Sequence, residues 1–167
     1  QPIGRGELRF GERLPNLFGG GEMTAWFHPT CAAYKRPQSL LQTLAETVEN
    51  VPDREALERA ARSSSAQRRI QRIDGAERSP SGQAKCRNCR ETVVRGSWRI
   101  RLVFFEDGRF APGGYLHLAC HKAYFENHEV LDQILHFSRD LSDSEREELR
   151  RAYVDATGLS PPAPGEA

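Results

Sequence analysis

The chain has 167 residues, 38% hydrophobic and 28% charged, with a formal net charge of +1. That length suits one ordinary domain or two small ones, and cores that small usually need a disulfide or metal staple. No apolar run approaches the roughly 18 residues of a membrane span, and the opening QPIGRGELRF carries no signal-peptide pattern, so a membrane protein and a secreted disulfide scaffold are disfavoured.

In chain order, helices are expected over 38–49 and from Asp53 to about Arg62. Ser63-Ser64-Ser65 and Arg78-Ser79-Pro80-Ser81-Gly82 bracket a linker, with a helical stretch over 66–73. Residues 99–105 alternate apolar and charged side chains, as an antiparallel strand does, up to a Glu106-Asp107-Gly108 turn. Gly113-Gly114 is expected to break the chain before a short return strand over 115–118. Beyond Cys120, the residues Tyr124, Phe125, Val130, Leu131, Ile134 and Leu135 recur at helical spacing. Ser142 with Glu145 forms a capping box for a last helix over 143–157, which Gly158 stops. The Pro-rich tail over 159–167 is expected to be disordered.

Charge is unevenly placed. Of the 24 basic residues only three are Lys, and between Lys85 and Arg109 seven basic residues face three acidic ones. From Cys120 onward ten acidic residues outnumber five basic ones. A local Arg stretch of this kind suits phosphate, because guanidinium groups fork onto its oxygens, although a solvated face is the plainer alternative.

Three of the four cysteines fall into one pattern. Cys86-x-x-Cys89 is followed after 27 residues by His117-x-x-Cys120. Each pair presents its donors from one turn, and together they make the Cys3His set of a structural zinc site. Unrelated buried thiols or a disulfide between neighbours are the alternatives. Cys31 is left over until the halves are superposed. Residues 3–10 (IGRGELRF) match 93–100 (VVRGSWRI) at a shift of 90, and 26–31 (WFHPTC) match 115–120 (YLHLAC) at a shift of 89. Asp53-Arg54-Glu55-Ala56-Leu57 similarly resembles Glu145-Arg146-Glu147-Glu148-Leu149. The chain thus reads as a tandem repeat of α+β units, each a short antiparallel sheet followed by helices. His28 and Cys31 are half of a second metal site, whose leading cysteine pair would fall just before Gln1. The chain is accordingly expected to be a fragment of a longer protein.

These residues resemble the zinc finger of the poly(ADP-ribose) polymerase (PARP) type. The resemblance rests on Ser81 through Cys86-x-x-Cys89, the Gly96-x-x-Arg99 step, the aromatic before His117, His117-x-x-Cys120 and the capped helices beyond. It divides the chain into a first finger over 1–62 lacking its leading pair, a linker over 63–80, a complete finger over 81–158 and the tail. It implies Zn2+ at Cys86, Cys89, His117 and Cys120, and recognition of nicked, gapped or broken DNA. Arg99 matches the family's backbone-contacting arginine, Arg9 is its copy in the first unit, and Phe110 is the counterpart of the base-stacking aromatic. The loop before His117 is a residue or two short of the family's, and Gln83 stands where the family often has a basic residue.

Independently of the resemblance, Lys85, Arg87, Arg95, Arg99, Arg101 and Arg109 supply cations around the metal motif, and Arg99 and Arg101 share one strand face. Phe18, in the glycine-rich loop of the first unit, is a second candidate for base stacking. Leu8, Trp98, Trp26 and Tyr115 are expected in the cores. A DNA-break module in the nucleus, or on the nucleoid of a bacterium, is the leading expectation. A zinc-stapled protein-interaction module of a larger ligase or ADP-ribosyltransferase is the alternative. No nucleophile elbow, P-loop or dinucleotide fingerprint is present, so these residues are not expected to form an enzyme.

Overall fold

The computed structural model describes residues 2–16, 19–126 and 130–159. It is an α+β protein with two small antiparallel sheets and several helices. The chain divides into two compact units, Gln1–Ala66 with Phe105–Phe110, and Gln67–Phe104 with Ala111–Ala167. Phe18 and the tail over 160–167 lie outside the described residues.

In the first unit, β1 (Phe10–Pro15) and β2 (Glu22–Phe27) pair antiparallel, with Phe10 opposite Phe27 and Gly11 opposite Trp26. Strand alternation buries Phe10 and leaves Gly11, Arg13, Thr24 and Trp26 on the solvent face. Three helices follow: α1 (Pro29–Lys35), α2 (Pro37–Glu46) and α3 (Arg54–Ser65). Pro29 and Pro37 open their helices, where a missing N–H leaves nothing unpaired. Phe10, Ala32, Ala33, Leu40, Leu44, Leu57 and Ala61 form the core. Arg36 forks onto Glu12 through two 2.6 Å bonds, and the Ser39 hydroxyl donates to the same carboxylate. Burial by itself would raise the Glu12 carboxyl, but these hydrogen bonds and the Arg36 charge hold it below its ordinary value. Arg54 closes the end of α2 by donating to the carbonyls of Leu44 and Thr47.

The second unit contains β3 (Arg72–Arg78) and most of β4 (Trp98–Glu106) and β5 (Arg109–His117), in that sheet order, while the tip of the β4–β5 hairpin over 105–110 belongs to the first unit. The stretch 63–80, expected as a linker with some helix, instead holds the end of α3 and a paired strand. Only Ile73 and Ala76 of β3 bury apolar side chains, so the strand owes its existence to its partner β4 rather than to its own pattern. Its register shifts between Ile73 and Ala76. There Gly75, at φ +96°, runs so close to the chain at Phe137 that a Cβ would stand 2.5 Å from the Phe137 carbonyl oxygen. The Ala76 N–H leaves the ladder and donates to the Ser138 hydroxyl.

β4 turns into β5 at Asp107 and Gly108, both with positive φ, as in the type I′ turn that matches strand twist. The return strand is nine residues long rather than the expected four, and Gly113-Gly114 lie inside it. These glycines admit neighbours instead of breaking the strand. A Cβ on Gly113 would press on the Leu102 backbone, and one on Gly114 would meet the Arg87 side chain at 2.7 Å.

A 3-10 turn (Leu118–Cys120) leads into α4 (His121–Phe125), then α5 (Leu131–His136) and α6 (Asp143–Thr157). Both halves of the Ser142–Glu145 capping box are formed, and Gly158 ends α6 at φ +67°, as expected. Arg146 closes the end of α5 by donating to the carbonyls of Leu135, Ser138 and Leu141. Ile100, Leu102, Leu116, Phe125, Ile134 and Leu149 fill the core with Trp98, which is 6% exposed. Of the expected core residues only Trp98 joins a core: Leu8 is 51% exposed, Trp26 49%, and Tyr115 is half-buried. Trp26 lies on the open face of the two-stranded sheet, and Leu8 just precedes it.

Candidate metal centre

The first two ligands sit on a tight turn. The Cys86 N–H donates to the Glu91 carbonyl, and the Arg90 N–H returns to the Cys86 carbonyl. Arg90 takes a left-handed conformation at φ +69° to close this loop. The turn is tied to β5 by the Arg87 N–H on the Tyr115 carbonyl at 2.8 Å and by the Arg87 guanidinium on the Gly113 carbonyl at 2.9 Å. β5 ends at His117, and the 3-10 turn beyond it delivers Cys120.

The four donor atoms of Cys86, Cys89, His117 and Cys120 all lie within 4.8 Å of one another. His117 Nδ1 stands 3.4 Å from Cys89 Sγ and 3.9 Å from Cys120 Sγ. Its Nε2 lies 3.3 Å from the Thr92 carbonyl, which can only accept, so the proton is assigned to Nε2. The Nδ1 lone pair is thereby aimed among the thiols, the outer-shell arrangement that orients metal-bound histidines.

Electrostatics agree with a cation site. Burial would raise the Cys86 thiol, yet N–H groups of His117, Cys89 and Asn88 bring it down to about 7. Burial and the neighbouring Cys86 charge push the Cys120 thiol up to about 11. Several thiolates so close together repel unless a cation stands between them. The donor set fits a metal, and four protein ligands leave no open coordination position.

His121, next to Cys120, is turned away. Its Nδ1 donates to the Leu118 carbonyl at 2.8 Å, and its Nε2 accepts from the Tyr153 hydroxyl at 3.0 Å. Burial, then the Asp132 charge, pushes Tyr153 up to about 12, so that hydroxyl keeps its proton.

His28 and Cys31 occupy the first turn of α1 as His117 and Cys120 occupy theirs. His28 (φ −62°, ψ 142°) and His117 (φ −64°, ψ 150°) share one backbone conformation at the N-cap. No group of three or more ligands forms around His28 and Cys31 among the described residues, and Glu7 lies 3.7 Å from His28.

The cations divide into two sets. Lys85, Arg87, Arg90 and Arg95 are exposed on and beside the ligand turn, and Arg109 is exposed on the β4–β5 hairpin. Arg99, by contrast, is 4% exposed; it donates to Glu77 and lies 3.6 Å over the Tyr115 ring. Arg101 donates to the Asp74 carbonyl and reaches the same Glu77 at 3.6 Å. In the first unit Arg9 is exposed and lies 3.9 Å over Trp26. Phe110 is half-buried, 4.9 Å from Phe105 and 6.1 Å from Phe27, with the Lys35 ammonium over its ring.

Sequence reasoning missed Glu77, because it lay in the supposed linker, and the Thr92 carbonyl, because backbone partners carry no residue signature. A comparison of the chain with protein-family models and with curated proteins found no match.

Proposed function

We propose that this protein is a zinc-stabilised DNA-binding module that recognises strand breaks or nicks, built from two units of the PARP zinc-finger type. What carries the reading is the Cys3His cluster with Lys85, Arg87, Arg90 and Arg95 exposed on and beside its ligand turn. Cys3His is a standard zinc set, and a rigid metal-bound turn holds guanidinium groups where they can fork onto phosphate oxygens. The closed ligand set suits a structural ion and supports a binding role rather than hydrolysis. His28 and Cys31 would supply two ligands of the first finger's site. Such a protein would work where DNA is, in a nucleus or on a nucleoid.

The test is metal content together with DNA affinity. Zinc should be present in stoichiometric amount with the Cys86–Cys120 set. Nicked duplex should bind more tightly than intact duplex, with steep salt dependence, and Arg95→Ala should lower the salt slope by about one. Equal affinity for nicked and intact duplex overturns the break-sensing reading. Because Arg99 and Arg101 are engaged by Glu77, a protein-interaction module is the second reading. Affinity for a partner that hardly changes with salt would favour it.

A further inference from the structure

Repeat-equivalent positions of the two units each carry an Arg over an aromatic ring, Arg9 on Trp26 and Arg99 on Tyr115, and the two stacks are closed differently. In the second unit, Arg99 on Tyr115 is sealed by Glu77 of β3, directly opposite in the strand register. In the first unit, Arg9 on Trp26 meets no carboxylate, and the adjacent Arg13 meets none either among the described residues. Trp26 lies across Gly11, where a Cβ would come within 2.7 Å of the indole. The strand is therefore notched to let the ring lie on the sheet. Half of the tryptophan remains exposed, and so does half of Leu8, next to Arg9 in sequence.

We propose that this face of the β1–β2 hairpin binds an unpaired DNA strand, with a base stacked on the Arg9–Trp26 platform and flanking phosphates held by Arg9 and Arg13. The inference rests on the DNA-binding reading and names the surface by which the first unit takes part in it. Aromatic rings and guanidinium planes both accept bases, and a base is exposed only where pairing is lost. A guanidinium stacked through its face keeps its in-plane N–H donors for phosphate. Arg9, just before β1, and Arg13 within it are four residues apart, about 13 Å for extended chain. Of the acidic residues nearby, Glu22 sits at the far end opposite Pro15, and Glu7 accepts from the Gly4 N–H and lies 3.7 Å from His28. Phe110, whose ring is already packed, is replaced in this role by Trp26.

The test titrates the whole chain with a short oligodeoxythymidylate while following tryptophan emission. Saturable quenching is expected, with affinity that falls as salt rises. Trp26→Ala should weaken single-strand binding roughly tenfold or more, and Arg9→Ala should weaken it and flatten the salt dependence. Trp26→Phe should keep most of the affinity and lose the emission change. Thermal stability should hold in all three, because these side chains are exposed. Unchanged affinity in Trp26→Ala, or binding without an emission change in the native chain, overturns the proposal. So does equal affinity for poly-glutamate, which would place an acidic protein segment on this face. If nicked duplex binds natively while these variants leave single-strand affinity unchanged, only this inference falls. If neither DNA binds, the DNA reading falls with it.

Discussion

The two units are built from one pattern and closed in two ways. Each has a hairpin, an i, i+3 His–Cys turn after its second strand, and a later helix whose first-turn arginine caps the helix before it. Arg54 and Arg146 do the same work on the ends of α2 and α5, and Leu57 and Leu149 are both buried. The second unit adds a third strand and a full ligand set. Glu77 then neutralises Arg99, and Trp98 is covered. The first unit has two strands among the described residues, and its equivalents Arg9, Leu8 and Trp26 face solvent. One arginine position is thus a core ion pair in one unit and a surface cation in the other. What decides between them is the presence of a neighbouring strand, not the local motif.

Metal removal should separate the units most widely. Binding energy at a structural zinc site is on the order of 10 kcal/mol in apparent terms, so Cys89→Ser or chelation should unfold the second unit. Amide signals of Leu40, Leu44 and Leu57 should stay dispersed while those of Ile100, Leu116 and Leu149 collapse. Loss of both sets together would show that the first unit does not stand alone.

Next in size is the Glu77 pair. Glu77→Gln leaves Arg99 buried with its charge uncompensated, a loss of about 3–5 kcal/mol when such a pair is broken. Arg9→Met, its counterpart in the first unit, should change stability by no more than about 0.5 kcal/mol, as surface changes do. Chemical denaturation followed separately in each unit would measure both. Equal losses would mean that the two positions are not differently closed.

The first unit has an ion pair of its own, and its pH dependence can be assigned. Glu12 is held below its ordinary value, so its contribution is complete above about 4.5 and is lost as pH falls through the lower folded-state value. Glu12→Gln should therefore lower the stability of this unit at neutral pH by about 1.5–3 kcal/mol, the range for hydrogen bonds to a charged group. The difference from the native chain should shrink on acidification below 4.5. A constant difference across that range would exclude the Arg36–Glu12 fork as its source.

The smallest effect should be the most alike in the two units. Arg54→Met and Arg146→Met each remove donors from carbonyls at a helix end, and each should cost about 1 kcal/mol. Thermal unfolding of the single variants should give similar losses. A large asymmetry would break the equivalence that the sequence shift of about 90 residues implies.

Much of the second unit was readable because its signals are local. Ser142, Glu145 and Gly158 fix a helix by contacts within a few residues, and α6 runs over the expected positions. Asp107-Gly108 sets a hairpin turn by backbone preference alone. The Cys-x-x-Cys and His-x-x-Cys spacings put two donors on each turn before any fold is known. The strand β3 could not be read this way. Its seven residues include four charged side chains and a glycine, and only pairing with β4 and the approach of Phe137 at Gly75 make them a strand.

The sequence by itself determined the ligand set, the turns, the capped helices and the internal repeat, since each depends on neighbours along the chain. Tertiary structure decided that Arg99 is buried against Glu77, that Gly113-Gly114 continue a strand, that Phe110 is packed and that Trp26 is open. Those outcomes turn on which surface arrives from another element, as Glu77 of β3 does for Arg99 at a separation of 22. Burial and charge pairing are properties of that encounter, and no local pattern encodes them.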